Sequence, residues 1–497
     1  MEKVIIIGGG ISGLVAGVYA QKAGFETEIY EKNTVVGGEC TGWDREGYYI
    51  DNCIHWLMGT TPGTDLNKIW SDSGALDGVK ILTSDKMYTS ELNGEKLTLW
   101  KDIDRTEKEM VELSPEDEIE IRNLMKNCRS ARKVQIPART PAEQMKIGDL
   151  LRMTFTMGTA LKMFKVYKGM DTQDLMNRFQ HPLIRCTISD FCTKESLAHS
   201  FPMSYGNYVS GDGGIPQGGS RAMAQRIRKR FEDLGGKVFA PASVEKIVLN
   251  DAGKAIGITL SDGRLIHGDY FVAACDTDYT FSHLLDRERM DDVLREAYEY
   301  PEAYPVYGMF QVAFAVDSDV DMLNGEIMME SSQVRFADFV SPRITVKNFN
   351  YEPSFAPAGK QILQVMLGMT DEGWKYWSEL NRDKEAYRAR KMEIAGNILK
   401  MLEEKYPPYQ GKMKILDVWT PVTYHRYCNA YKGYNQAYTI TKQSRQQVYP
   451  SPFVKGVDNV IIAGQWMSAP GGLPGAAIQG KYSIQRILKK CGRKTEI

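Results

Sequence analysis

The sequence predicts an α/β fold whose parallel, nucleotide-binding sheet is assembled from both ends of the chain. Three observations carry this. Residues 4–22 read as buried strand, glycine turn and helix. Residues 26–38 read as a second strand that ends in an acid and runs on to a glycine pair. Residues 459–477 read as another buried strand followed by a glycine-rich helix start.

The first strand is Val4-Ile5-Ile6-Ile7, an apolar β-branched run of the kind buried in parallel sheets. Gly8-Gly9-Gly10-Ile11-Ser12-Gly13 follows at once and has the spacing GxGxxG. In this context Gly8 permits the tight turn, Gly10 lets backbone approach a diphosphate, and Gly13 lets helix and strand pack closely. The helix start adds unpaired N–H groups and a partial positive charge, with Ser12 in its first turn. The second strand, Glu26 to Tyr30, ends at Glu31, whose carboxylate can accept the ribose hydroxyls of an adenine nucleotide, with Lys32 beside it. A 2′-phosphate would be repelled there, which disfavours NADP. The pair Gly37-Gly38, six residues past the acid, is not needed for NAD but suits FAD, whose extended diphosphate and ribityl chain run past a second loop. The expected cofactor is FAD.

Bulk properties narrow the field. A chain of 497 residues is long for one core and suggests two or three domains. Lysines and arginines number 62 against 63 acids, a net charge of −1, so nothing in the balance draws the chain to nucleic acid. Eight cysteines, at positions 40, 53, 128, 186, 192, 275, 428 and 491, include no CxxC pair, which favours a reducing compartment. His181, Cys186, Cys192 and His199 lie close together but fit no zinc spacing, and no metal is expected. The chain enters a strand directly after Met1-Glu2-Lys3, so no signal peptide is expected. Val4 to Ala20 is uncharged, but three consecutive glycines make it a poor membrane span.

Beyond Gly38, Trp43 to Asp51 reads as two short strands about a turn, and residues 86–101 as a hairpin about Asn93-Gly94. Residues 104–200 read as mostly helical, broken by a proline-containing loop at 136–142. Gly211 to Gly219 reads as a turn feeding a basic helix. Val238-Phe239, Ser243 to Leu249 and Ala255 to Leu260, with the turn 261–264, read as a meander. Tyr270 to Ala274 is a buried strand, and residues 291–450 mix strands with a helix near 383–405. Asn459 to Gly464 is the last buried strand, and Pro470 to Ala477 opens the final helix.

Together these parts resemble the FAD-dependent phytoene desaturase, carotenoid isomerase and retinol saturase family, within the wider amine oxidase-like flavoproteins. Three blocks carry the resemblance: Gly8 to Gly38; Ala242 to Ile247 with the GxxLxDG segment Gly257 to Gly263; and Ala463-Gly464-Gln465-Trp466 with Gly471 to Ala476. The resemblance implies a Rossmann-like FAD-binding domain, discontinuous in sequence, with a mixed β-sheet and a helical substrate domain. The expected division is 1–85, 201–290 and 451–497 for FAD, and 86–200 with 291–450 for substrate. It also implies that backbone near Val244 meets the adenine, and that Gly464, Gln465, Leu473 and Ala476 lie along the ribityl chain and flavin. Two departures stand out. Gln465 replaces an acid that would bind a ribityl hydroxyl, and Asp51-Asn52-Cys53 replaces Asp-x-Gly, so that Cys53 either packs or narrows the pocket.

The expected activity is FAD-dependent oxidoreduction, or flavin-dependent isomerisation, at C–C and C=C bonds of a lipophilic polyene or isoprenoid. Amine oxidation, and non-catalytic prenyl-lipid binding, are the competing readings. His55 is the first candidate acid or base, against a purely structural role; His425, Tyr427 and Tyr431 are the others, against packing. Leu151 to Phe179 interleaves Met153, Phe155, Leu161 and Phe164 with Arg152, Lys162, Lys165 and Lys168. It reads either as a basic amphipathic helix at a membrane interface or as a lid with its lysines in water. The expected setting is cytoplasmic, with peripheral membrane contact.

Overall fold

The first strand forms where its side chains have no alternative to burial: Val4, Ile5 and Ile6 are fully enclosed. This computed structural model describes residues 1–331, 334–336, 339–340, 342–446 and 448–497. Lys3–Ile7 lies at the centre of a six-stranded sheet, with Glu26–Tyr30 on one side and Tyr270–Ala273 on the other, both parallel to it. Val457–Ile462 adds a fourth parallel strand, and Phe453–Val454 closes that edge antiparallel. At the opposite edge Lys237–Phe239 pairs parallel with Glu26–Tyr30. This corrects the expected meander. The helix Gly219–Asp233 ends at Gly235-Gly236 and returns the chain parallel to the sheet, and Phe239 stacks on Tyr30 with ring centroids 4.9 Å apart. The meander itself comprises Val244–Leu249, Ala255–Leu260 and Leu265–His267.

The helix Ile11–Lys22 is buried along its whole first ten residues because helices cover it from both sides. Small residues make that possible. A Cβ at Gly480 of the final helix, Gly472–Lys490, would stand 2.3 Å from the Ser12 carbonyl oxygen, and one at Gly17 would stand 3.0 Å from the Phe231 ring.

A seven-stranded mixed sheet makes up the second half. Its order is Met413–Trp419, Gly308–Val316, Gln361–Met369, Arg343–Asn348, Glu326–Glu330, Lys86–Leu92 and Glu95–Trp100. The expected hairpin is present, with Asn93 and Gly94 at positive φ as a two-residue turn demands. Helices Ile103–Leu113, Glu118–Ala131, Ile147–Val166, Pro182–Phe191 and Ser200–Val209 form the adjoining layer. Two further expectations change. Gly213–Pro216, read as turn, is a short strand joining Leu57–Met58 to Ile81–Leu82. The basic segment expected over 151–179 is one helix only to Val166; beyond Tyr167 the chain breaks and restarts at Thr172–Met176. Among the described residues no helix is long and apolar enough to cross a membrane, no group of side chains is placed to hold a metal ion, and the eight cysteines are free.

Candidate functional site

The central strands of the parallel sheet end at one cleft, enclosing about 1170 Å³ of empty space including its open mouth. Backbone shapes its floor. Gly8 has φ +104°, and its N–H reaches the Tyr30 carbonyl at 2.9 Å. A Cβ at Gly13 would sit 2.0 Å from the Gly8 oxygen, so turn and helix touch through glycine alone. Gly10 differs: a Cβ there meets nothing within 4 Å. The second glycine loop rests on the first, Gly37 N–H donating to the Gly9 carbonyl at 2.8 Å and Gly38 facing Gly10.

The polar groups at this floor fit a dinucleotide. The Ser12 hydroxyl is buried in the first helical turn without a hydrogen-bond partner, as a group awaiting a ligand oxygen would be. Glu31 is buried at the end of its strand and accepts from Gly9 N–H at 2.8 Å, Asn33 N–H at 2.8 Å and the Asn33 amide at 2.9 Å. Three donors orient it and leave about one of its four acceptor positions free for a ligand hydroxyl. Lys32 lines the cleft but spends its ammonium on the Arg426 carbonyl, 3.0 Å, and Asn429; burial pulls its pKa down. Ala242, Ser243 and Val244 form one wall. Gly464, Gln465, Leu473 and Ala476 form another, with the Gln465 amide oxygen accepting from Gly472 N–H at 3.0 Å at the start of the final helix. Cys53 stands in the wall as well; the Cys53 sulfur and burial together push the neighbouring Cys40 thiol up.

Two cleft acids escaped the sequence reading. Glu39 directly follows the glycine pair; burial and then the charge of Asp276 push it up to about 8. Asp276 stands at the carboxyl end of Tyr270–Ala273 and accepts from the Tyr434 hydroxyl and from the N–H groups of Asp278 (2.8 Å), Tyr279 (3.1 Å) and Tyr431 (3.1 Å). Burial still lifts it to about 6. The signals existed: one acid abuts a glycine loop, and the other lies where parallel sheets place ligands.

The candidate acid–base residues do not converge. Tyr427 lines the cleft, whereas His55, His425 and Tyr431 do not. His55 Nδ1 lies 2.8 Å from Glu326, whose own burial is outweighed by His55 and Lys347, so its carboxyl sits below the usual range. Lys347 is buried, donates to the Ile54 carbonyl at 2.8 Å and lies 4.7 Å over the Phe349 ring. His425 Nδ1 is 3.0 Å from the Ala430 carbonyl, and its ring meets Trp374 edge-on at 5.1 Å. The Tyr431 ring packs on Tyr298 and Trp466. A further buried chain went unread in the sequence: Gln364 donates to Gln311 at 2.5 Å, Gln311 to the Tyr424 hydroxyl, and Tyr424 to Asn52 at 2.9 Å, next to Cys53.

Comparison with known proteins agrees with this geometry. A family model described as flavin containing amine oxidoreductase matches residues 11–488. The chain is 25% identical over 447 residues to prolycopene isomerase 2 of an Oncidium hybrid cultivar, covering 85% of this chain and 73% of that protein. It is 22% identical over 521 residues to the lycopene-forming phytoene desaturase of Pseudescherichia vulneris, covering 98% and 99%. Among solved structures, an oxidoreductase from Methanosarcina mazei superposes with a TM-score of 0.62 at 17% identity, covering 97% of this chain and 100% of that one.

Proposed function

The chain belongs to the flavin containing amine oxidoreductase family, and from that premise we propose that it desaturates, saturates or isomerises C–C and C=C bonds of a lipophilic polyene or isoprenoid. It is an FAD-dependent oxidoreductase. The observation that carries the substrate class is the pair of polyene enzymes it resembles, one of them along nearly its whole length. We assign residues 1–85, 201–290 and 451–497 to the cofactor half and 86–200 with 291–450 to the substrate half.

Bound FAD supplies hydride acceptance or donation at its N5. The chain's own part is to hold and enclose. The glycine loops at Gly8–Gly13 and Gly37-Gly38 would admit the diphosphate, Ser12 would donate to it, and Glu31 would take a ribose hydroxyl. The start of the final helix, near Leu473, would place its partial positive charge beside the isoalloxazine. Trp466 and Tyr434 present aromatic surface to the same cleft. An apolar substrate offers no charge to grip, so its orientation rests on such surfaces. Of the expected acid–base residues only Tyr427 reaches the cleft wall; His55, its Nδ1 turned to Glu326, would serve a proton step only through groups between it and the cleft. A lipophilic substrate also suits the Ile147–Val166 helix, where Phe155 is 95% exposed and only Ala160 and Met163 are buried. We assign that helix to peripheral membrane contact, because a lid packed on its own domain would bury its apolar face.

Amine oxidation is the second reading, favoured by the family itself, described as flavin containing amine oxidoreductase. Anaerobic stopped-flow absorbance at the flavin band separates the two. Polyenes or retinoids are expected to change the flavin spectrum, from either the oxidised or the reduced side. Rapid bleaching by amines with silence toward every polyene and retinoid would reverse the order of the two readings.

A further inference from the structure

The cleft carries an electrostatic imbalance that its cofactor sharpens. Of the charged side chains in its wall, Glu31, Glu39 and Asp276 are acids and Lys32 is the lone cation, yet FAD brings a doubly negative diphosphate. Glu31 and Asp276 are each settled by protein donors: Glu31 by Gly9 and Asn33, and Asp276 by the Tyr434 hydroxyl with three backbone N–H groups. Glu39 shares the cleft wall with Gln465, whose amide oxygen accepts from Gly472 N–H at 3.0 Å; Gln465 lowers the Glu39 pKa, but less than burial and Asp276 raise it. The Gly37-Gly38 turn that precedes Glu39 lies against Gly9 and Gly10. The acid is therefore held at the level of the turn that receives the diphosphate. An ionised carboxylate buried there would face Asp276 and the incoming anion together, in a medium that screens neither well.

We propose that Glu39 is a cofactor-contacting acid that keeps its proton in the FAD complex and donates a hydrogen bond toward the diphosphate–ribityl stretch. FAD binding is thereby coupled to the protonation of a single side chain. The inference rests on the FAD reading of the cleft and adds a residue and a proton to it. Burial first, and Asp276 second, place the Glu39 transition at about 8. The titratable groups that share its surroundings are Asp276, Tyr424, Cys428 and Tyr434. Burial pushes the two tyrosines and the thiol up, so they stay neutral through that range, and Asp276, at about 6, is already ionised. Lys32, the cation of the cleft wall, has its pKa lowered by burial and is common to parent and variant.

The test is FAD titration of the apoprotein between roughly pH 6.5 and 9.5, read by quenching of flavin fluorescence. In the parent protein the dissociation constant is expected to be level below about pH 8 and to rise up to about tenfold per pH unit above it, because an acid whose pKa is higher in the complex must take up a proton to bind. Glu39→Gln keeps a donor without a charge and is expected to lose that rise, while any slope from other groups stays common to both proteins. On the parent alone, calorimetry near pH 9 in buffers of differing ionisation enthalpy should register proton uptake on binding. Equal slopes in parent and variant, or no proton uptake by the parent, overturn the assignment of Glu39. Failure of FAD to bind at any pH would remove the cofactor reading and this inference together.

Discussion

Gly10 and Gly13 share one motif but face opposite constraints. A side chain at Gly13 must intrude on the Gly8 carbonyl, whereas one at Gly10 enters open cleft. Gly10→Val is therefore expected to fold with a melting temperature near that of the parent and to purify without flavin. Gly13→Ala is expected to lose both, since relieving a contact of 2.0 Å requires the first helix to move off its strand; overpacking of this kind costs typically 1–3 kcal/mol. Thermal denaturation combined with the flavin-to-protein absorbance ratio checks both variants. Gly10→Val protein carrying a full complement of flavin would place the cofactor elsewhere. The cofactor glycines were legible because local spacing and backbone geometry specify them. Glu39 and Asp276 were harder to read, since a buried carboxyl declares itself only once the walls that bury it are known.

The Ile147–Val166 helix poses the same contrast between pattern and context. Its sequence allowed either a membrane-facing element or a lid, and the register alone could not choose. The fold leaves Ile147, Leu151, Phe155, Leu161 and Val166 in the open, with basic residues among and after them. Charge reversal of Lys162, Lys165 and Lys168 to Glu is expected to weaken binding to anionic vesicles roughly a hundredfold, at about 1 kcal/mol for each lysine lost near the surface. Phe155→Ser should weaken binding to neutral and anionic vesicles alike. Vesicle co-sedimentation decides, and equal pelleting of variants and parent would return the helix to the lid reading. Elements fixed by short-range chemistry, such as the Asn93-Gly94 hairpin, were readable in full. Lys237–Phe239 was not, because three residues between a helix and a meander fit either sheet until the right-handed crossover places them beside Glu26–Tyr30.

At the scale of the molecule, residues 453–490 complete a sheet and helix layer that residues 3–30 begin. Ile461, Ile462, Ile478, Ile484, Ile487 and Leu488 are all buried in that late segment. At roughly 1.5–3 kcal/mol each, their burial is comparable to the entire net stability of a typical domain, about 5–15 kcal/mol. Truncation after residue 450 is therefore expected to abolish cooperative unfolding and flavin binding together, as read by calorimetry and absorbance; a truncated chain that melts cooperatively and retains FAD would contradict the shared core. The cleft itself draws on residues from Ile7 to Ala476, and this has a consequence in time. A ribosome adding roughly 5–20 residues per second needs on the order of 20–90 s to pass from the first helix to the one at Gly472–Lys490, and through that interval the first helix has emerged without the helix that covers it. The wall formed by Gly464, Gln465, Leu473 and Ala476 is absent throughout that interval, so the cleft is complete only once this late segment has folded onto the early one.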